Sequence, residues 1–153
     1  LVLSIGILGM SGLQLSSLRN NQQSYQRSQA TALVSSLMDR MRANRAQAAQ
    51  GSYTLAVNTT PTAPTVNCES ANCTPAQLAT YDLSSWYTTL NQTLTGATAR
   101  ITCSTSPCTL GVTQTITVLW DEGRTGATNT SCPGPSTFNA AVHLSCFSVS
   151  FAP

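Results

Sequence analysis

The chain begins with a strongly apolar run over residues 1–13 and then becomes polar without a break. The apolar positions that we expect to face a membrane or other helices are Leu1, Val2, Leu3, Ile5, Ile7, Leu8, Met10 and Leu13. A membrane-spanning helix needs about 20 apolar residues, so we expect more of them upstream of Leu1. A signal-peptide core is a less simple interpretation, because such a core is followed by a small-residue cleavage site, whereas here the sequence continues without a break.

The pattern after this run predicts that one continuous helix extends to about residue 50. No proline occurs in the first 60 residues, and proline is the residue that most often breaks a helix. Leu33, Leu37 and Met41 recur every four residues, as expected for a helix face that packs against a sheet. Gly51 is placed to end the helix in the left-handed conformation.

Three further residues continue this stripe toward the start of the helix at heptad spacing. They are Leu18, Tyr25 and Ala32. We therefore expect the stripe to be apolar along most of the helix.

The expected helix is too long to be covered by the rest of the chain. Fifty helical residues would extend about 75 Å, whereas a globule of roughly 100 residues has a radius of gyration of about 13 Å. We therefore expect residues 1–18 to project from a globular domain of residues 19–153, and to pack against lipid or other helices. Gly6, Gly9 and Gly12 weaken the projecting part. They fit either close helix packing or a stretch that unwinds.

The second half of the chain predicts a short helix and a small sheet. Thr74, Pro75 and Gln77 form a capping-box pattern that begins a helix over 75–93. Alternating residues predict strands within 99–103, 112–120 and 142–151, with a bulge near Ser145, and a short strand is possible over 53–57. The expected fold class is α+β, a long N-terminal helix packed on a small antiparallel sheet.

Six cysteines in a chain of 153 residues are typical of a disulfide-bonded, exported protein. The simplest pairing joins neighbours along the chain: Cys68 with Cys73, Cys103 with Cys108, and Cys132 with Cys146. Six cysteines allow fifteen pairings, so the sequence leaves the connectivity open. A zinc site of four thiolates is the alternative, but the spacing is at the edge of the usual range and two cysteines would remain.

Charge is scarce and unevenly distributed. Charged residues make up 8% of the chain, and the net charge is +2. Five arginines against one acid give the first 50 residues a charge of +4, while two arginines against four acids leave −2 in the remainder. This balance gives no general attraction to nucleic acid. The helix arginines are expected on a solvated face, with lipid head groups or acids of a neighbouring helix as the alternatives.

The sequence contains no recognisable catalytic, cofactor or metal site. His143 is the only histidine and has no nucleophile beside it in a recognisable motif. Asp121 and Glu122 end a strand, where neighbouring side chains point to opposite faces, so a solvated turn is expected rather than a carboxylate pair. We expect no enzyme and no cofactor.

The helical half resembles the type IV pilins. The stretch 1–9 is similar to the middle of their N-terminal helix, and 12–14, 17–22, 27–30 and 38–45 resemble the minor pilins of the PilV group. The resemblance covers residues 1–50 and implies no catalysis. It implies an inner-membrane anchor before assembly, and partners that are other minor pilins, the major pilin and a tip adhesin. The processing sequence and the acidic residue at the pilin N-terminus are absent here, so we expect a truncated chain.

Two other classes of protein remain open. A minor pseudopilin of a type II secretion system shares the plan of a long helix and a sheet. A membrane-tethered periplasmic binding module could instead contact a ligand through Trp86, Trp120 and the loop between Cys132 and Cys146.

Overall fold

The computed structural model describes the backbone of residues 2–134 and 136–153. It describes the side chains of residue 14 and of residues 17–134 and 136–153. The expectations for the side chains of Leu1, Val2, Leu3, Ile5, Ile7, Leu8, Met10 and Leu13, and for the glycine-containing stretch among them, lie outside these described residues.

The N-terminal half folds into one long helix followed by a short one. Helix α1 spans Val2–Ala43 and helix α2 spans Arg45–Ala49. The 42 residues of α1 extend about 63 Å. The expected continuous helix to residue 50 is therefore wrong in one respect, because Asn44 leaves helical geometry at φ −118° and ψ 46°. Gly51 ends α2 with φ +79°, the left-handed conformation expected of it.

Helix α3 spans Pro75–Thr93 and begins where the capping pattern predicts. The Thr74 hydroxyl accepts from the Gln77 amide, and the Gln77 side chain accepts from the Thr74 amide. Threonine is a weak helix former. Here several threonine hydroxyls donate to the carbonyl four residues earlier, for example Thr88 to Ser84, so they add no unpaired polar group.

Within the described residues the sheet has three strands in the order β1, β2, β3. Strand β1 spans Thr98–Cys103, β2 spans Gln114–Trp120 and β3 spans Ser145–Phe151, all antiparallel to their neighbours. The predicted meander is confirmed. The expected strand over 53–57 is reduced to a single bridge between Leu55 and Ile101.

The bulge expected near Ser145 does not occur among the described residue pairs of β2 and β3. Strands β2 and β3 pair in one unbroken register from Gln114 opposite Phe151 to Trp120 opposite Ser145. Apolar residues occur on both faces of β3 for a different reason. Phe147 packs on the main core, whereas Cys146 packs on a small second cluster around Leu119 and Leu144.

The main core lies between α1, α3 and one face of the sheet. Helix α1 contributes Ala30, Val34, Leu37 and Met41, which are all fully buried, with Leu33 partly buried beside them. The other elements contribute Ala79, Leu83, Trp86, Leu90, Ala99, Ile101, Ile116, Val118, Trp120 and Phe151. The Trp86 indole donates to the Leu33 carbonyl at 2.8 Å, which ties α3 to α1.

The heptad extension of the α1 stripe is not part of this core. Leu18 is 66% exposed, Tyr25 is 63% exposed and Ala32 is exposed. At about 100° per residue these positions lie roughly a third of a turn away from Leu37, because their separations from it do not correspond to whole helical turns. The stripe expected to be continuous is therefore two stripes on different faces.

All six cysteines form disulfides, joining Cys68 to Cys73, Cys103 to Cys108 and Cys132 to Cys146. This is the pairing of chain neighbours that the sequence favours, and it leaves no thiolate for the zinc alternative. The last of the three ties the loop before β3 to the strand itself. The disulfides thus restrain loops around a sheet of only three strands.

The two stripes of α1 predict different costs for the same substitution. Leu37→Ala should lower the free energy of unfolding by about 3 kcal/mol, because it leaves a cavity in the core. Leu18→Ala should change it by no more than about 0.5 kcal/mol, because this side chain is largely exposed. Urea unfolding of the full chain in mild detergent, followed by tryptophan fluorescence, measures both. Equal costs would contradict the packing described above.

Candidate functional site

The uncovered part of α1 is the feature that most distinguishes this molecule from an ordinary α+β domain. Every side chain from residue 17 to residue 25 is exposed. Gln26, at 6% exposed, is the first buried residue of the helix among the described side chains. We call residues 17–25 the free segment. We call the part of the chain that packs on α1, residues 45–153, the head. The head begins to cover the helix at about residue 26, while the expected domain boundary at residue 18 stays a prediction.

One side of the free segment is apolar. Leu18 and Tyr25 are separated by seven residues, so they lie on nearly the same side of the helix, and Ala32 continues this line. Their neighbours on the free segment are asparagine, glutamine, serine and arginine. An isolated exposed leucine is common on protein surfaces. A heptad line of exposed apolar residues on a helix is instead the arrangement by which helices pack side by side.

Where the free segment ends, an ion pair joins the helix to the head. The Arg27 Nε atom lies 3.3 Å from Glu122 Oε1, and the Ser145 hydroxyl donates to the other carboxylate oxygen at 2.9 Å. The Glu122 side chain is only 8% exposed. Asp121 is also buried, and it accepts from the amides of Thr125 and Gly126. The expected solvated turn is therefore wrong, because one acid binds the helix and the other holds the turn.

At the other end of the interface a buried polar network surrounds the helix break. Arg40 donates to Asp82 on α3 at 2.9 Å, and the Tyr53 hydroxyl donates to the second oxygen of that carboxylate at 3.0 Å. The Asn44 amide donates to the Pro75 carbonyl at 2.7 Å and to the Tyr53 oxygen at 3.3 Å. These bonds connect α1, α3 and the segment after α2. They hold the non-helical residue Asn44 in place between α1 and α2.

Burial raises the pKa of the Tyr53 phenol well above its ordinary value, and the nearby charge of Asp82 acts in the same direction. The hydrogen bond from Asn44 opposes the shift without cancelling it. Tyr53 is fully buried. It therefore keeps its proton in the folded protein at pH values where it would lose it in the unfolded chain.

This network was not found by sequence reasoning, although one signal was available. Asp82 lies three residues after Ala79 and one before Leu83, on the apolar face of α3. An acid on such a face is rarely buried unless it is paired. The partner could not be identified from sequence, since Arg40 is 42 positions away and is one of five arginines in the first half.

The arginines of the helix do not all lie unpaired on a solvated face, contrary to expectation. Arg27 and Arg40 bind acids of the head. Arg42 pairs with Asp39 on the same helix and lies 5.6 Å from the centre of the Phe151 ring. Only Arg19 and Arg45 are exposed without an ion pair in the part of α1 and α2 that the structure describes.

The remaining candidate residues have structural surroundings. The His143 Nδ1 atom accepts from the Asn139 amide at 3.2 Å, within a turn. Trp86 and Trp120 are at most 2% exposed, so neither can contact a ligand in the way the binding-module alternative requires. No group of residues suited to hold a metal ion occurs among the described residues. Likewise, no helix in the described part of the chain is sufficiently long and apolar to span a bilayer.

Comparison with known families is consistent with this architecture. Residues 12–84 match a family model described as Tt1218-like, Type IV pilin Tt1218. The match covers slightly less than half of the chain, from within α1 to the middle of α3. It supports a type IV pilin family for this chain, and in general terms a structural role in a pilus. Curated proteins and solved structures gave no match.

The long helix, the three-stranded antiparallel sheet and the short helix make the fold α+β and pilin-like. The family match includes the free segment, the Asn44 break and both partners of the Arg40 to Asp82 ion pair. It does not include the sheet, which begins at Thr98.

The two ion pairs of α1 with aspartate predict very different effects of the same substitution. Asp82→Ala should cost about 2–3 kcal/mol of stability, because it leaves the Tyr53 hydroxyl and Arg40 without their partner in a buried site. Asp39→Ala should change stability by at most about 0.5 kcal/mol, because both members of its pair are exposed. Chemical unfolding of the two variants provides the comparison. A cost at Asp82 no larger than that at Asp39 would contradict a buried network.

The raised pKa of Tyr53 predicts that the protein loses stability in alkali. The phenol keeps its proton in the folded state and loses it in the unfolded chain, so folding is favoured fully below about pH 10 and progressively less above it. The slope should approach about 1.4 kcal/mol per pH unit.

Urea titrations at a series of pH values measure this slope. Tyr53→Phe should remove most of it, whereas Tyr25→Phe, which changes an exposed tyrosine, should retain it. An unchanged slope in Tyr53→Phe would assign the alkaline transition to another group.

Proposed function

We propose that this chain is a structural minor pilin of the type IV pilus, of the PilV kind. In this proposal it joins other minor pilins in a complex that primes pilus assembly and supports a tip adhesin, and so serves twitching motility and adhesion. The single observation that carries the proposal is the change along α1 at Gln26. Every side chain over residues 17–25 is exposed, whereas one face of the helix is buried in the core from Gln26 onward.

The proposed mechanism is an exchange of surroundings by the exposed apolar part of the helix. Leu18 and Tyr25 continue the apolar character of residues 1–13 toward the head. Apolar surface in water is unfavourable by about 25 cal/mol per Å². It can be removed from water either in a bilayer or among helices of other pilins. Because either environment removes the apolar surface of the helix from water, transfer from membrane to filament requires no active site and no cofactor.

The proposed location follows from the same division of the chain. Residues 1–18 would hold the protein in the inner membrane before assembly, with residues 19–153 in the periplasm, and the protein would belong to the pilus afterwards. Three disulfides support a periplasmic head, because such bonds persist in oxidising compartments.

A minor pseudopilin of a type II secretion system is the second candidate. The general plan of helix and sheet fits it equally well, and only the arginine-containing segment that resembles PilV argues against it. Co-purification separates the two, because the partners recovered would be secretion pseudopilins rather than pilins. The membrane-tethered binding module loses support, since both tryptophans assigned to it are buried. Unchanged surface piliation after deletion of the gene would nevertheless favour a tether.

The stripe on the free segment should be required for association with other pilins. Replacing Leu18 and Tyr25 together with glutamine should reduce co-purification of the full-length protein with pilins by about tenfold or more, because each side chain contributes about 1–2 kcal/mol when buried. Replacing Ser17 and Ser24 with glutamine is the matched control, at the same heptad spacing on another face. Affinity purification from cells that express the pilus quantifies both. Equal recovery from the two variants would contradict the proposed helix contact.

A further inference from the structure

A polar groove lies beside the free segment, between α1 and the turn that follows β2. Its helix side is lined by Arg19, Gln22 and Gln23, and its other side by residues 122–125. The groove therefore joins the two parts of the molecule that have different roles, the uncovered helix and the head. Its charged lining consists of two arginines, Arg19 and Arg124, and one acid, Glu122.

The positive charges of this groove are not neutralised within the described part of the chain. Glu122 is already engaged, since Arg27 and the Ser145 hydroxyl occupy its two oxygens. Neither Arg19 nor Arg124 forms an ion pair among the described residues. A groove lined by two arginines that have no acidic partner has a positive potential that attracts anions. The groove is thus suited to bind an anionic group.

The backbone of the turn gives independent support for a role of Arg124. Its φ is +52°, a left-handed conformation that glycine adopts readily and that is strained for a residue with a Cβ atom. The turn is held in this shape by Asp121, whose carboxylate accepts from the Thr125 and Gly126 amides. The Arg124 side chain forms no hydrogen bond among the described residues that would explain its presence. Its position beside Arg19 on the groove does explain it.

The position of the groove along the helix indicates which anion it meets. Arg19 directly follows Leu18, at the end of the apolar part of the chain. It lies seven residues, or about 10 Å, before Gln26, where the head begins to cover the helix. If the apolar part is inserted in a bilayer, Arg19 and the turn lie at the level of the lipid head groups. Arginine side chains are favourable at that level because their stems stay apolar and their guanidinium groups bind phosphate.

We propose that the groove between Arg19 and Arg124 binds the phosphate of an anionic lipid head group and so seats the head on the membrane before assembly. This proposal rests on the membrane anchor of the proposed function. A second copy of this chain is a poorer partner, because its long helix carries five arginines and one acid and is therefore positively charged overall. The acids Asp82, Asp121 and Glu122 of such a copy are already engaged within its own fold.

The test uses the full chain in two kinds of nanodisc, one of phosphatidylcholine alone and one in which about a third of the lipid is phosphatidylglycerol. A trace of lipid with a paramagnetic head group broadens the amide resonances of nearby residues. Resonances of residues 123–126 should broaden more in the anionic discs than in the neutral ones. The difference should disappear at high salt, because the Debye length falls to about 3 Å near 1 M.

Arg19→Gln combined with Arg124→Gln should weaken the contact about tenfold or more, since each arginine near an anionic surface strengthens binding about fivefold. The matched control is Arg45→Gln combined with Arg100→Gln, which removes the same charge away from the groove. It should leave the contact unchanged.

Arg124→Gly separates binding from folding. Glycine relieves the backbone strain at this position, so the variant should be at least as stable as the natural chain, and yet its contact with anionic lipid should weaken about fivefold.

Three outcomes would overturn the proposal. One is equal broadening in neutral and anionic discs, with the protein inserted in both, which would leave the anchor intact. The second is broadening that depends on added pilins rather than on anionic lipid, which would assign the groove to a protein contact. The third is a chain that enters neither kind of disc, which would remove the anchor itself.

Discussion

The structure depends on one constraint: its main helix is longer than the head that packs on it. Helix α1 has 42 residues, and its first buried described side chain is Gln26. Beyond that point the helix is an ordinary core element, with Leu37 and Met41 fully buried. Before it, no part of the head covers Leu18 or Tyr25. One regular element therefore has two different surroundings, the core of the head from Gln26 onward and solvent over residues 17–25.

Polar contacts mark both ends of the covered part of the helix. Arg27 binds Glu122 where the head begins, and Arg40 binds Asp82 close to the break at Asn44. Between them the contact is almost entirely apolar, apart from the bond between the Trp86 indole and the Leu33 carbonyl. Apolar contacts alone allow a helix to slide, whereas paired charges have one favourable register. The pair of Arg40 with the buried Asp82 thus favours one register of the helix, while the pair of Arg27 with Glu122 marks where the covered part begins.

The head is small, and its sequence supplies polar contacts and disulfides that stabilise it alongside a small hydrophobic core. The sheet carries hydroxyl pairs at its exposed surface, such as Thr115 with Ser150, which need no second layer to cover them. The Gln114 side chain caps the end of α2 by donating to the Ala48 carbonyl. Disulfides restrain the loops where the core is thin. A few strong restraints therefore take the place of a large hydrophobic core.

The sequence by itself determined the features that depend on neighbouring residues. The period of α1, the capping box of Thr74 and Gln77, and the alternation in the three strands are all local patterns, and the structure follows them. Tertiary structure alone decided which of the two α1 stripes is covered, because Leu18 and Leu37 are equally apolar. It also decided the partners of Arg27 and Arg40, which lie 95 and 42 positions away. Sequence periodicity describes one element at a time, whereas burial and ion pairing depend on which elements meet.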